Sequence, residues 1–457
     1  MSAETSTGAG NTAVISPPRP GAAITDWHPE DEAFWEREGS RTARRNLILS
    51  IFAEHLGFSV WSLWSVFVLF LGPAYHVDPA GKFFLTTVPT VVGSVLRLPY
   101  TFAVAKFGGR NWTVFSASLL LVPCILAALV LKPGVSYTTL MIVAAVAGVG
   151  GGNFASSMAN INAFYPDRLK GAALGLNAGG GNIGVAVVQL LGLLVLATAG
   201  IAHPRLLLGI YIPLVVIAAL GAALFMNNLT QMRNDKRAMR DATKDPHTWI
   251  MSLLYIGTFG SFIGFSFAFG QVLQVQFKWT PRQAADIVWL GPLLGSLIRP
   301  VGGALADRIG GAKVTFTNFV LMTLAAVLVF VASQQKSLPL FVTGFILLFV
   351  FSGIGNGSAY KMIPAIFRAK ANKAIEGGAD TALAQREARR MSGALIGIAA
   401  ATGAFGGALV NFAFRESFLT YKSGNAAYIG FIAFYGLCFL VTWTVYLRPG
   451  TRKLTGV

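Results

Sequence analysis

The chain reads as long apolar runs separated by short polar ones. Runs of Leu, Val, Ala, Ile, Phe and Gly cover about 46–72, 84–106, 112–131, 138–164, 171–198, 205–228, 248–274, 282–307, 313–333, 338–366, 392–414 and 424–447. Each reaches the roughly 20 residues that a helix needs to cross a hydrocarbon core. None alternates strictly, as the lipid-facing strands of a barrel do. The pattern predicts an all-α membrane protein with twelve transmembrane helices. Six spans, a charged connector over about 229–247 and six further spans predict two six-helix bundles, 46–228 and 248–447. Tails at 1–45 and 448–457 flank them. Repeated halves around a midplane site are the construction of secondary transporters.

Outside the spans the reading is coarser. Residues about 1–25 are rich in Gly, Ala, Ser, Thr and Pro and are expected to be disordered. Pro29 followed by Glu30 and Asp31 predicts the start of a short helix. Trp27, Phe34 and Trp35 would hold that helix at the membrane interface. The basic stretch over about 367–391 is expected to be a surface helix.

Composition agrees with a bilayer as the solvent. Of 457 residues, 54% are hydrophobic and 12% charged, against about 25% charged in a soluble domain; the mean hydropathy is +0.61. A net charge of +17 suggests nucleic acid, but the basic residues gather in the tails and in the loops on one side. That is the positive-inside bias. It predicts a multi-pass protein of the cell inner membrane with both termini cytoplasmic, partnered by the lipid bilayer and not by nucleic acid. The start of the chain lacks the basic stretch plus apolar core of a cleaved signal peptide. Cys124 and Cys438 lie inside apolar spans and read as small buried hydrophobes, giving no support for a disulfide or metal site. Neither a metal-ligand cluster nor a nucleophile–base arrangement is visible, so the chain is expected to be a transporter without a cofactor and not an enzyme.

Two lone arginines change the picture most. Leu96-Arg97-Leu98-Pro99 leads to Lys106-Phe107-Gly108-Gly109, and Ile298-Arg299-Pro300 leads to Arg308-Ile309-Gly310-Gly311. The offset from 97 to 299 is 202, and the following basic residue and both glycines keep it. Gly151-Gly152-Asn153 and Gly355-Asn356-Gly357 repeat at nearly the same distance. A charge at mid-membrane costs about 2.5–3.5 kcal/mol on insertion scales, which argues for a function. A guanidinium offers a planar fork of donors that suits a small planar oxyanion. Each arginine alternatively snorkels or pairs with a carboxylate; the candidates inside the spans are Glu54 and Asp307.

Around them the sequence offers glycine, amide and aromatic side chains. Span five carries Gly179, Gly180 and Gly181, with Asn177 and Asn182 beside them; span eleven carries Gly403, Gly406 and Gly407. The glycines either permit gating movements or simply let helices pack closely. A buried amide needs a partner, and a bound oxyanion would serve. Tyr255 and Phe259 share a helix face in span seven, and Phe154 follows Asn153 in span four. They read as an aromatic collar or as ordinary lipid and packing contacts.

The stretch from Gly152 to Ile161, the glycine stretch from Gly171 to Gly184, Trp249 through Phe265 and Gly302 to Gly311 resemble the nitrate/nitrite porter family of the major facilitator superfamily. Trp27 to Asn46 is similar to that family's N-terminal approach, so the likeness covers nearly the whole chain. The resemblance implies a major facilitator fold and a secondary active transporter of nitrate, nitrite or both, working by alternating access. Arg97 and Arg299 would clamp the anion, with Phe154, Asn182, Tyr255 and Phe259 contacting it. Gly403 to Gly407 matches the span-eleven signature, but Asn411 stands where a proline commonly ends it and Ala178 replaces a span-five glycine. The substitution at 411 puts the gating bend of that span in doubt.

Charged residues that nitrate-for-nitrite exchange would not need suggest a further ion. Glu54-His55 lies in span one and Lys361 in span ten. They are candidates for proton coupling; alternatively, Glu54 and Lys361 neutralise one another. Symport with protons, nitrate/nitrite exchange without them, and transport of another small anion such as formate stay open. The expected working unit is a monomer.

Overall fold

The structure, a computed structural model, describes residues 19–232, 235–448, 454 and 457. Among the described residues, twelve helices are long and apolar enough to cross a membrane. Spans 1 to 6 are Glu32–Phe70, Pro79–Phe107, Gly109–Val130, Tyr137–Phe164, Asp167–Thr198 and Arg205–Phe225. Spans 7 to 12 are Pro246–Phe277, Pro281–Ile309, Gly311–Gln334, Leu338–Glu376, Thr381–Tyr421 and Asn425–Leu447. Each apolar run expected from the sequence corresponds to one of them, but four overrun a helix end by one to three residues, at 72, 131, 228 and 424. They form two six-helix bundles.

The duplication is visible in the backbone. Span 2 ends at Gly108, with φ 87° and ψ 146°, and span 8 ends at Gly310, with φ 96° and ψ 133°. Both conformations are open to glycine and strained for other residues. The same 202-residue offset that relates Arg97 to Arg299 therefore relates two helix stops.

Three segments differ from expectation. Within residues 1–25, positions 1–18 lie outside the described residues, but 19–25 are tied down. Ala23–Ile24 pairs in parallel with Asn228–Leu229, and Gly21 donates to the Met226 carbonyl at 3.1 Å. The short interfacial helix is not separate: it forms the first turns of span 1, which runs unbroken from Glu32 through a π-helical turn at Trp35–Gly39. Trp27 and Trp35 are buried in protein and not held at an interface. The Trp27 indole donates to the Phe164 carbonyl at 3.2 Å and packs on the rings of Phe34 and Phe164. Finally, the basic 367–391 stretch is not one surface helix. Span 10 continues to Glu376 and span 11 begins at Thr381, so the stretch is a helical hairpin with its bend at 377–380.

That hairpin holds the connector between the bundles. The connector forms a helix, Lys236–Lys244, capped by the Asp235 side chain. Arg390 donates to Asp235, Asp241 and Glu387 at 2.6, 2.8 and 2.7 Å. Arg390 thereby holds the Asp235 carboxyl below its usual range.

Contacts between the bundles are dense on the side away from the chain termini. Phe83 of span 2 stacks on Phe414 and Phe418 of span 11 at 5.9 and 5.4 Å between centroids. One turn deeper, the Thr86 hydroxyl donates to Asn411 Oδ1 at 2.9 Å. Gln189 of span 5 donates to the Ser266 carbonyl of span 7 at 2.7 Å. All these side chains are buried, so this end is closed by both apolar packing and hydrogen bonds between the bundles, with Gln189 Oε1 left unpartnered among the described residues. Span 11 is continuous through Asn411. The amide of Asn411 also donates to the carbonyls of Gly407 and Gly264 at 3.0 and 3.3 Å, so it joins spans 2, 7 and 11.

Candidate functional site

Arg97 is buried completely and Arg299 nearly so, at 0% and 6% relative exposure. Neither snorkels. Neither is among the ion pairs of the described residues. A buried guanidinium without a counter-ion must be offset by hydrogen bonds and polarisable neighbours, or the penalty is several kcal/mol.

The fold supplies those neighbours to Arg97 from both bundles. Just before Asn153 and Phe154, span 4 tightens into a 3-10 turn at Gly148–Gly152. Its glycines Gly148 and Gly151 approach span 2 closely, and the Gly151 carbonyl accepts from Arg97 Nε at 3.1 Å. Arg97 Nη1 crosses to the other bundle and donates to the Ala400 carbonyl of span 11 at 2.8 Å. The guanidinium carbon lies 4.6 Å from the Phe154 ring centre, 5.0 Å from Phe259, 5.5 Å from Trp61 and 6.0 Å from Phe58. Desolvated cation–π contacts contribute about 2 kcal/mol or more at favourable sites. Nη2 is buried with no hydrogen-bond partner among the described residues.

Arg299 is held less tightly. Its Nη2 donates to the Tyr255 hydroxyl at a long 3.3 Å, and its guanidinium carbon lies 5.5 Å from the Tyr360 ring centre. Its Nη1 is buried and unpartnered. Tyr255 ends an α-helical segment of span 7, and Ile256–Gly260 continues as a π-helical turn. Such turns often mark functional sites. Tyr255 and Phe259 stack at 5.3 Å with 11° between planes, and Phe259 stacks on Phe154 at 6.1 Å. The two arginines thus lie along one aromatic row: Arg97 against Phe154 and Phe259, Arg299 against Tyr255. Each turns one unused N–H group into a buried environment.

Glu54 is buried in span 1. Its Oε2 accepts from Asn177 Nδ2 at 2.6 Å, and Asn177 exchanges hydrogen bonds with Ser157 at 2.7 and 3.0 Å. Glu54 Oε1 has no hydrogen-bond partner among the described residues. Both arginines lie within electrostatic reach of it. His55 does not join this network. Its Nδ1 meets the Gly180 carbonyl at 3.1 Å, because consecutive residues on a helix point about 100° apart. Lys361 does not neutralise Glu54; it pairs with Asp307 at 2.8 Å, and both are well exposed. Asn182 is buried on span 5 with neither amide atom hydrogen-bonded among the described residues.

The glycines of spans 5 and 11 serve as notches. A Cβ at Gly181 would lie 2.7 Å from Glu54 Cγ, and one at Gly403 would lie 3.1 Å from Tyr255 Cε1. In each half the first helix seats its chemistry-bearing side chain in a glycine notch of the fifth. Gly180 abuts Ile51, Gly406 abuts Ile256 and Gly407 abuts Ile263, whereas a Cβ at Gly179 would meet nothing within 4 Å.

Sequence reasoning missed Tyr360, Trp61, and the partnership of Ser157 and Asn177 with Glu54. Signals existed. Trp61 is seven residues after Glu54, and Tyr360 is four after Asn356, so each shares a helix face with a residue already of interest.

The Major Facilitator Superfamily profile matches residues 47–410. The nitrate/nitrite transporter NarU of Salmonella typhimurium is 38% identical over 94% of this chain and 96% of its own length. The chain belongs to the nitrate/nitrite porter family of the major facilitator superfamily. NarU of Escherichia coli is 37% identical over 94% of this chain and 97% of its own. The probable nitrate/nitrite antiporter NarK2 of Thermus thermophilus is 34% identical over 95% and 98%. Among solved structures, a D-xylose–proton symporter covers 91% of this chain and 99% of its own at a TM-score of 0.65 and 12% identity. A bacterial homologue of the human lysosomal transporter Spinster, inward-facing and occupied, covers 87% and 95% at 0.64 and 14%. These two share the fold. As a porter-family member this chain is a multi-pass membrane transporter and not an enzyme.

Proposed function

We propose that this porter carries nitrate and nitrite across the cell inner membrane by alternating access, with the anion gripped between Arg97 and Arg299. The observation that carries the reading is the pair of unused guanidinium N–H groups, Arg97 Nη2 and Arg299 Nη1, both buried along one aromatic row. Two buried cations repel, and a buried donor without an acceptor costs about 1–3 kcal/mol. A flat monovalent oxyanion accepting from both forks would relieve both penalties, and it would do so only when the bundles are close. Binding would therefore favour the occluded state, which is the requirement for a ligand to drive closure. The names of the relatives from Salmonella, Escherichia and Thermus support nitrate and nitrite as the substrates.

In this reading residues 46–228 and 248–447 rock about the site, 229–247 connects them, and both termini are cytoplasmic. The pseudo-symmetry lies within one chain, so one copy is a complete working unit. Asn182, with its free amide, would close over the bound anion from span 5.

Glu54 is the candidate for carrying a proton. Its free Oε1 lies within the field of both arginines. Nitrate entering against a membrane potential climbs about 2.3 kcal/mol per 100 mV, and one proton per anion cancels that cost. His55 and Lys361, engaged by Gly180 and Asp307, would support packing and not proton movement. Proteoliposomes test both halves of the reading. Labelled nitrate counterflow should be competed by nitrite and chlorate and weakly by formate. An imposed inward proton gradient of one pH unit should raise nitrate accumulation up to about tenfold, and Glu54→Gln should abolish that response. Counterflow indifferent to nitrite refutes the substrate reading. Wild-type uptake indifferent to the gradient refutes proton coupling and leaves nitrate/nitrite exchange.

A further inference from the structure

A groove of about 660 Å³ lies at the start of span 1 and the end of span 6, on the side of the molecule that carries the chain termini. It is lined by Arg41, Arg44 and Arg45 on one hand and Ile48, Leu49 and Phe225 on the other. We propose that this groove binds the headgroup of an acidic phospholipid, with the phosphodiester on the arginines and the acyl chains on the apolar wall.

The spacing makes the basic patch. Arg41, Arg44, Arg45 and Ile48 follow at three and four residues, so they rise along one helix face. Arg41 and Arg44 are exposed. Neither belongs to an ion pair among the described residues, whereas Arg37, one turn earlier, faces Glu38 at 3.5 Å. Arg45 is fixed by its Nη2, which donates to Asn227 at 2.6 Å, and its Nε is buried without a partner. Three guanidiniums line the groove with donors to spare, and forked donors match the oxygens of a phosphate.

The apolar side decides between a lipid and a free anion. Ile48 and Phe225 are 56% and 49% exposed, and they continue into Leu224, Leu220 and Ile217, at 60%, 55% and 56%. A soluble phosphate has no use for that wall. A phospholipid spans it, with its charge at the mouth and its chains along span 6. Basic pockets between spans are a recurrent place for anionic headgroups, and the volume lies within the usual range for a ligand cleft.

Native mass spectrometry of the purified full chain tests this. The probes are dioleoyl-phosphatidylglycerol, dioleoyl-phosphatidylcholine and inorganic phosphate, each added to the same detergent micelles. Wild type should retain phosphatidylglycerol in preference to phosphatidylcholine, and millimolar phosphate should not displace it. Arg41→Gln with Arg44→Gln should weaken that retention about 25-fold, at about fivefold for each basic group near an anionic surface. Arg41→Lys with Arg44→Lys, which keeps the charge, provides a milder version should the neutral pair fold poorly, and it should retain an intermediate amount. Equal retention of both lipids by wild type, or unchanged phosphatidylglycerol retention in the variants, overturns the proposal. Displacement by inorganic phosphate overturns it in favour of a free-anion site.

Discussion

Replacing Gly181 with alanine puts a methyl group 2.7 Å from Glu54 Cγ and 2.8 Å from its Cδ. Ordinary carbon contacts begin near 3.4 Å, so span 1 or the Glu54 side chain must give by about 0.7 Å. Overpacking of this kind costs about 1–3 kcal/mol. It also presses the carboxylate away from Asn177, whose 2.6 Å hydrogen bond fixes it. The same change at Gly179, two residues away on the same helix, meets nothing within 4 Å. There alanine should stabilise the helix by up to about 1 kcal/mol. Gly181→Ala should therefore lower the melting temperature and Gly179→Ala hold or raise it. A thiol-reactive dye reads this directly, since Cys124 and Cys438 are both free and buried until the chain unfolds. Nitrate uptake in proteoliposomes should fall for Gly181→Ala and persist for Gly179→Ala. If Gly179→Ala abolishes uptake while Gly181→Ala preserves it, these glycines act as hinges, and their reading as notches is wrong.

Other perturbations probe the remaining contacts. Thr86→Val removes the hydrogen bond to Asn411 across the bundles, worth about 1 kcal/mol net. A cysteine placed at Thr87, buried beside the seal, should then react about fivefold faster with an impermeant maleimide. Tyr255→Phe keeps the stack on Phe259 but loses the acceptor for Arg299. Because that bond is long, nitrate affinity should fall about tenfold or less by calorimetry. Arg390→Gln cuts the tie to Asp235 and Asp241, so hydrogen exchange over 236–244 should accelerate. Asp235 has a depressed carboxyl pKa. Its contribution is therefore intact at neutral pH and is lost only as pH falls through that lowered value.

The spans were legible because hydrocarbon imposes a length and a composition on every one of them. The arginine pair was legible because charge is scarce in such sequence and the duplication repeats its surroundings. What the sequence hid was direction. Glu54 and His55 are neighbours in the chain, yet one faces Asn177 and the other the Gly180 carbonyl. Lys361 looked like a counter-charge for Glu54, but Asp307 lies nearer to it across spans 8 and 10. The span-five and span-eleven glycines announced themselves, but composition does not say that Gly181 and Gly403 receive Glu54 and Tyr255. Asn411 stands where a proline was expected, and its role as a bridge between three spans depends on partners more than a hundred residues away.

The most direct test of the clamp is nitrate binding by Arg97→Lys and Arg299→Lys measured beside wild type by counterflow and calorimetry. Lysine keeps the positive charge and gives up the planar fork. A charge-assisted hydrogen bond contributes about 1.5–3 kcal/mol, so each variant should lose about 10- to 150-fold in nitrate affinity, with counterflow falling in step. Either variant binding nitrate within twofold of wild type would contradict the account.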